Sequence, residues 1–171
     1  MNKTARLFLI APALLVLGAC SSTRAPATES PSGAAAATVF EDELSLTGYS
    51  VGDKNGHTEV TLHWNVLHKP SGDYAVFVHV LDGAGAMAFQ GDHSLTNAAG
   101  APSGAWTAGD SVEDRFMMAP PAGRAPGSYT FRVGVWDYKI GRFLKLLRTN
   151  LPQPTDGWRG RAVVIENVVC K

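Results

Sequence analysis

Two cysteines among 171 residues rule out a scaffold built on disulfides and leave no paired-thiol motif for metal or redox chemistry. Charge is sparse too. The 15 Lys and Arg stand against 15 Asp and Glu and are scattered singly, so no basic stripe exists to track a nucleic acid backbone. No apolar run reaches the roughly twenty residues that a membrane-spanning helix needs. Nor does any stretch from Val39 to Lys171 hold apolar residues at spacings of three and four for the length of a helix. Catalytic signatures are missing as well. There is no H-E-x-x-H and no phosphate-cradling Walker loop, and in Gly100-Ala101-Pro102-Ser103-Gly104 the serine falls one place too late for a nucleophile elbow. The five histidines follow no metal spacing, and His63 and His68 on one strand would face opposite sides. No loop, including those of Asp53 and Asp92, gathers enough oxygen ligands for calcium. These absences argue for a chain without cofactor, metal or catalytic centre, and so for binding rather than turnover.

What is present begins at the N-terminus. Lys3 and Arg6 precede an apolar run from Leu7 to Leu17, broken by Pro12, and the segment closes with Leu17-Gly18-Ala19-Cys20. A charged start and a short apolar core are the layout of a secretory signal, too short for a spanning helix. The closing four residues resemble the lipobox of bacterial lipoproteins. That resemblance implies that the Cys20 thiolate takes a diacylglyceryl group, that residues 1–19 are removed, and that Cys20 becomes an acylated N-terminus. Each buried methylene contributes about 0.8 kcal/mol, so two or three chains hold firmly where one holds marginally. Ser21 stands where aspartate would retain such a protein on the inner membrane of a Gram-negative cell. The resemblance therefore implies a lipid-anchored cell-envelope protein, on the outer membrane if the cell is Gram-negative.

Removal of the signal would leave 152 residues with a net charge of −2, which fits one domain with a core of its own. Residues 20–38 carry the lipid site and then SSTRAPATESPSGAAAAT, which has no large apolar side chain and is expected to be a disordered tether. Its mean span is roughly 23 Å. Residues 39–171 are expected to be the single folded domain. With Cys20 acylated, Cys170 has no intramolecular partner and reads as a small apolar residue ending the last strand.

Within that domain the pattern is that of strands. Val60, Leu62, Trp64 and Val66 alternate with Thr61, His63 and Asn65, the period of a strand with one buried face. Asn55-Gly56 ahead of it marks a tight hairpin from Leu44–Val51 into Glu59–Leu67. Tyr74–Leu81 is apolar on both faces and should be central. Further strands are expected at Met87–Gln90, Ser111–Met118, Ser128–Tyr138, Phe143–Leu147 and Ala162–Val169, with loops at 98–105 and 119–127. The expected fold is all-β, an antiparallel immunoglobulin-like sandwich of about seven to nine strands.

Four phrases occur in order: YAVFVHVLDGAG, FQGD, SGAWTAGDSVEDRFMM and APGSYTFRVGVWDYKIGRFLKL. Together they resemble the extracytoplasmic β-sandwich domain at the C-terminal end of multi-spanning bacterial glycosyltransferases. The positions matching that motif are His79, Asp82, Gln90, Asp92, Trp106, Asp110, Asp114, Tyr129, Gly134, Trp136 and Asp137. The chain lacks the multi-spanning catalytic half, so the resemblance carries fold and cell-surface context without sugar transfer.

Plain structural roles suit several of these. Asp82 and Asp110 sit beside glycines at turns, Trp106 suits the sealing of an open core end, and His79 lies on an apolar strand face where Gln90 or Asp92 would be its partner. On the strand Ser128–Tyr138, Arg132, Gly134, Trp136 and Tyr138 point to one side. Beside His63 and Asn65 on a neighbouring strand, they would make a flat aromatic platform of the kind sugars bind. Against this, Trp136 would merely cover bare backbone at Gly134 or pack under a loop. The candidate binding residues are therefore Trp136, Arg132, Tyr138, His63, His79, Gln90, Asp92 and Trp106, with Cys20 as the lipidation site. Two roles fit: non-catalytic binding of a glycan or envelope protein, or a structural subunit docked on a membrane glycosyltransferase or export complex.

Overall fold

The structure, a computed structural model, describes residues 38–171. The signal segment, Cys20, Ser21 and the tether up to residue 37 lie outside the described residues.

The strands are β1 (Thr38–Phe40), β2 (Leu44–Lys54), β3 (His57–Val66), β4 (Ala75–Leu81), β5 (Met87–Gln90), β6 (His93–Ser94), β7 (Ser111–Met118), β8 (Gly127–Asp137), β9 (Arg142–Phe143), β10 (Leu146–Arg148) and β11 (Ala162–Cys170). They form two antiparallel sheets packed as a sandwich. One has the order β10-β1-β2-β3-β7 and the other β11-β8-β4-β5. In the second sheet β6 continues beside β4 where β5 stops, and β9 pairs with the end of β8. Among the described residues there are eleven strands against the seven to nine expected, the excess coming from the short β1, β6, β9 and β10.

Alternation along the strands explains the packing. From the first sheet Leu44, Leu46, Val60, Leu62, Trp64, Val66, Val112 and Met118 point inward. Val76, Val78 and Val80 of β4 meet them, with alternate residues of β8 and β11 from Tyr129 to Cys170. Trp106 closes one end. It is 2% exposed, and its indole N–H donates to the Ala101 carbonyl at 3.1 Å, so the expected sealing role holds and Trp106 does not belong to a binding surface.

The β2–β3 connection is the two-residue turn that Asn55-Gly56 signalled, with φ of 55° and 80°. A Gly56→Ala substitution should cost about 1 kcal/mol, because an L side chain resists this left-handed conformation while meeting no neighbour. A lower urea midpoint at unchanged slope is the expected reading.

Two boundaries differ from expectation. Thr38, assigned to the tether, opens β1 and is fully buried, with its Oγ1 2.8 Å from Thr149 Oγ1 and within hydrogen-bond reach of Asn150. The single strand expected over Phe143–Leu147 is split. Arg142 and Phe143 pair with β8 and Leu144 donates to Val135, whereas Leu146 and Arg148 pair with β1 in the other sheet. Leu144 and Leu146 are both buried, so the apolar period runs unbroken across the crossing and hides it.

Candidate functional site

The outer face of the second sheet is a grid. Across it run Ser94, Ala75, Trp136 and Phe143, then Phe77, Gly134 and Ala162, then Gln90, His79, Arg132 and Val164. The rows hold Trp136, Arg132 and His79 on one face, as the alternation requires. The platform is not open, however, and His63 is no part of it. His63 and Asn65 lie on β3 in the first sheet, so they face the opposite side of the molecule. There His63 Nδ1 stands 3.8 Å from Glu113, and Asn65 accepts from Ser111.

Residues 149–161, which join β10 to β11, cross this face and lay Trp158 on it. Its indole stands 5.1 Å from Phe77, 4.7 Å from His79 and 5.1 Å from Phe143, and Arg132 lies over it at 5.6 Å. Arg132 Nη2 also donates to Asp156 at 2.6 Å. The Arg132 side chain is thereby 12% exposed, not the free outward cation expected. Gly134 is covered by Phe77 rather than by Trp136, since a Cβ there would stand 2.5 Å from Phe77 Cε1.

His79 departs from its expected role. Its Nδ1 is buried without a hydrogen-bond partner, and neither Gln90 nor Asp92 supplies one. Gln90 stands exposed at the matching position on β5. Asp92 instead accepts the Val78 N–H at 2.9 Å, repairing the sheet where β5 hands over to β6. Burial, aided by Arg132 and opposed by Asp92, holds the His79 imidazole below the usual histidine pKa, so it is neutral at neutral pH.

Beside this segment the face dips into a shallow, open cleft. Ala75 is the smallest side chain in its row, and the drop between Ser94 and Trp136 leaves a hollow of about 300 Å³ lined by Ala75, Asp92, His93, Ser94, Trp136 and Tyr138. Trp136 is half-buried and packs on Phe143 at 6.1 Å, and Tyr138, 42% exposed, meets it edge-on at 6.4 Å. Of the expected residues, the cleft brings together Trp136, Tyr138 and Asp92, and adds His93 and Ser94.

His93, which its spacing does not single out, lines the cleft. Its Nδ1–H donates to the Gly91 carbonyl at 2.8 Å, and its Nε2–H to Asp114 Oδ2 at 2.9 Å. Both partners are acceptors only, so the geometry is that of an imidazolium. Burial by itself would lower the His93 pKa, but the Asp114 carboxylate, the Gly91 carbonyl and nearby Asp92 together hold it above the usual value. Because β6 and β7 belong to different sheets, this ion pair clasps the sandwich beside the cleft. The available signal was Asp114 itself, a carboxylate alternating with Val112 and Met118 on the inward face of β7, where a charge needs a partner.

No family profile, curated protein or solved structure matches this chain.

Proposed function

We propose that this protein is a non-catalytic glycan-binding module of the bacterial cell envelope, tethered through lipid on Cys20. The cleft is the observation that supports the reading. Trp136 and Tyr138 offer aromatic surface to the C–H faces of a pyranose, and Asp92 and Ser94 offer polar atoms to its hydroxyls. A rigid sheet holds Trp136, and the His93–Asp114 clasp fixes the opposite wall. The Leu17–Cys20 lipobox resemblance supports the envelope address, where a surface-restricted module gains from local concentration.

The full chain should be retained on one or more envelope polysaccharides spotted as an array. A Trp136→Ala variant should lose about 2 kcal/mol of binding, roughly thirtyfold in Kd, with an unchanged circular dichroism spectrum. Retention of wild type and variant alike, or of neither, would remove the reading. Crosslinking of one stoichiometric protein in intact cells, with no glycan retained, would identify a subunit docked on a glycosyltransferase or export complex instead.

A further inference from the structure

We infer that residues 149–161 are a removable strap occupying a second, carboxylate-reading subsite, and that its natural competitor is a uronic acid unit of the bound glycan. The inference rests on the glycan reading of the neighbouring cleft and names the sugar class for which that site is built.

The strap mimics such a ligand. It presents a ring, Trp158, against Phe77, His79 and Phe143, and a carboxylate, Asp156, against Arg132. The mimicry is incomplete. Asp156 engages Nη2 of the guanidinium, while Arg132 Nε is buried without a partner; a free carboxylate approaching side-on takes both. His79, 7% exposed, likewise holds Nδ1 unpaired beneath the indole, where a sugar hydroxyl would satisfy it. Leaving such groups unmatched is costly in a permanent core contact. Trp64 Nε1 in the core is unmatched too, but His79 and Arg132 are register partners on β4 and β8, so here two unmatched groups lie side by side under the strap.

The strap has few polar ties to the sheet and is held chiefly by the packing of Pro154 and Trp158. Its roots are bonded to the sheets through the Pro152 carbonyl, which accepts from Val164, and the Gly160 carbonyl, which accepts from Leu146. Between them, the bonds of Asp156, Trp158 and Arg159 that stay off the sheet are local turn contacts, and the polar tie to the sheet is Arg132–Asp156. Lifting the tip would break that packing and the Arg132–Asp156 bond but none of the ladder bonds of the strands.

Charge agrees with the assignment. Asp92 borders the open cleft, whereas the covered half carries two cations, Arg132 over Trp158 and Arg161 with its guanidinium 5.8 Å from the Phe143 ring. Trp136, stacked on Phe143, stands between the cleft and the half of the face that the strap covers. A chain with a neutral unit at Trp136 and an acidic one at Arg132 would fit both.

The test is calorimetric titration of the full chain with trigalacturonate and with its carboxyl-reduced counterpart. Trp158→Ala and Asp156→Ala should each bind the acid at least about tenfold more tightly than wild type, because closed-state occupancy no longer taxes affinity. The reduced trimer should show no such gain, and Arg132→Gln added to either variant should abolish it. Asp156 is exposed, so its removal tests the strap without opening the core. Equal affinity of wild type and both strap variants would overturn the inference while leaving cleft binding intact. Strap variants whose affinity is unchanged when Trp136→Ala is added would support the strap and remove the cleft reading. A gain shared by the reduced trimer would overturn the carboxylate assignment.

Discussion

Alanine at Gly134 is expected to destabilise the domain by at least about 3 kcal/mol, roughly 10 °C in Tm. The position faces outward, yet it has no space. A Cβ there would stand 2.5 Å from Phe77 Cε1 and closer still to the Arg161 carbonyl oxygen. A side chain could rotate away, but the second obstacle is backbone at the entrance to β11. Relief therefore means parting β8 from β11, where Ala162 is registered opposite Gly134. Phe77 would be displaced as well, and with it the seat of Trp158. Urea titration and tryptophan emission should show a lower midpoint together with a red shift. A variant as stable as wild type would mean that the close approach of Phe77 and Arg161 to Gly134 is not a constraint.

The second large effect is expected at the clasp. His93→Ala should cost about 3 kcal/mol or more, because it leaves Asp114, whose side chain is 5% exposed, as a buried carboxylate without its cation. The wild-type pair also imposes a pH dependence of definite sign. The folded-state pKa of His93 is raised, so its stabilisation is fully present below the unfolded value near 6.5 and is lost as pH rises through the folded value. Wild-type stability should fall from mildly acidic toward alkaline pH, and His93→Ala should lack that component. A variant with the same pH slope as wild type would assign the slope to another group.

Both effects bear on what could be read in advance. The hairpin at Asn55-Gly56, the alternation from Val60 to Val66 and the doubly apolar Ala75–Leu81 were legible because local chemistry and the period of two determine them. Trp136 and Tyr138 were legible as outward aromatics by the same alternation, whereas Asp92, expected beside His79, accepts the Val78 N–H instead. The strap was not. A loop containing Gln153-Pro154-Thr155-Asp156-Gly157 announces a turn but carries no period to say which face it will cross. Hence Arg132 is expected in an open row that Trp158 covers, His79 is expected to bond Gln90 or Asp92 and does not, and His63 is expected beside a strand whose sheet it does not share. Strand alternation tells inside from outside, but it does not tell which outside.

The bond between Thr38 and Thr149 has a mechanical consequence. β1 is three residues long, and the first of them is fastened to the foot of the strap. A pull on the main chain ahead of Thr38 would reach that bond before the long strands of the core, and a strand loaded from its end peels one contact at a time. Tension would loosen Thr149 first. If the chain is held at one end and its ligand at the other, force and ligand would act on the same thirteen-residue segment, 149–161, from its two sides.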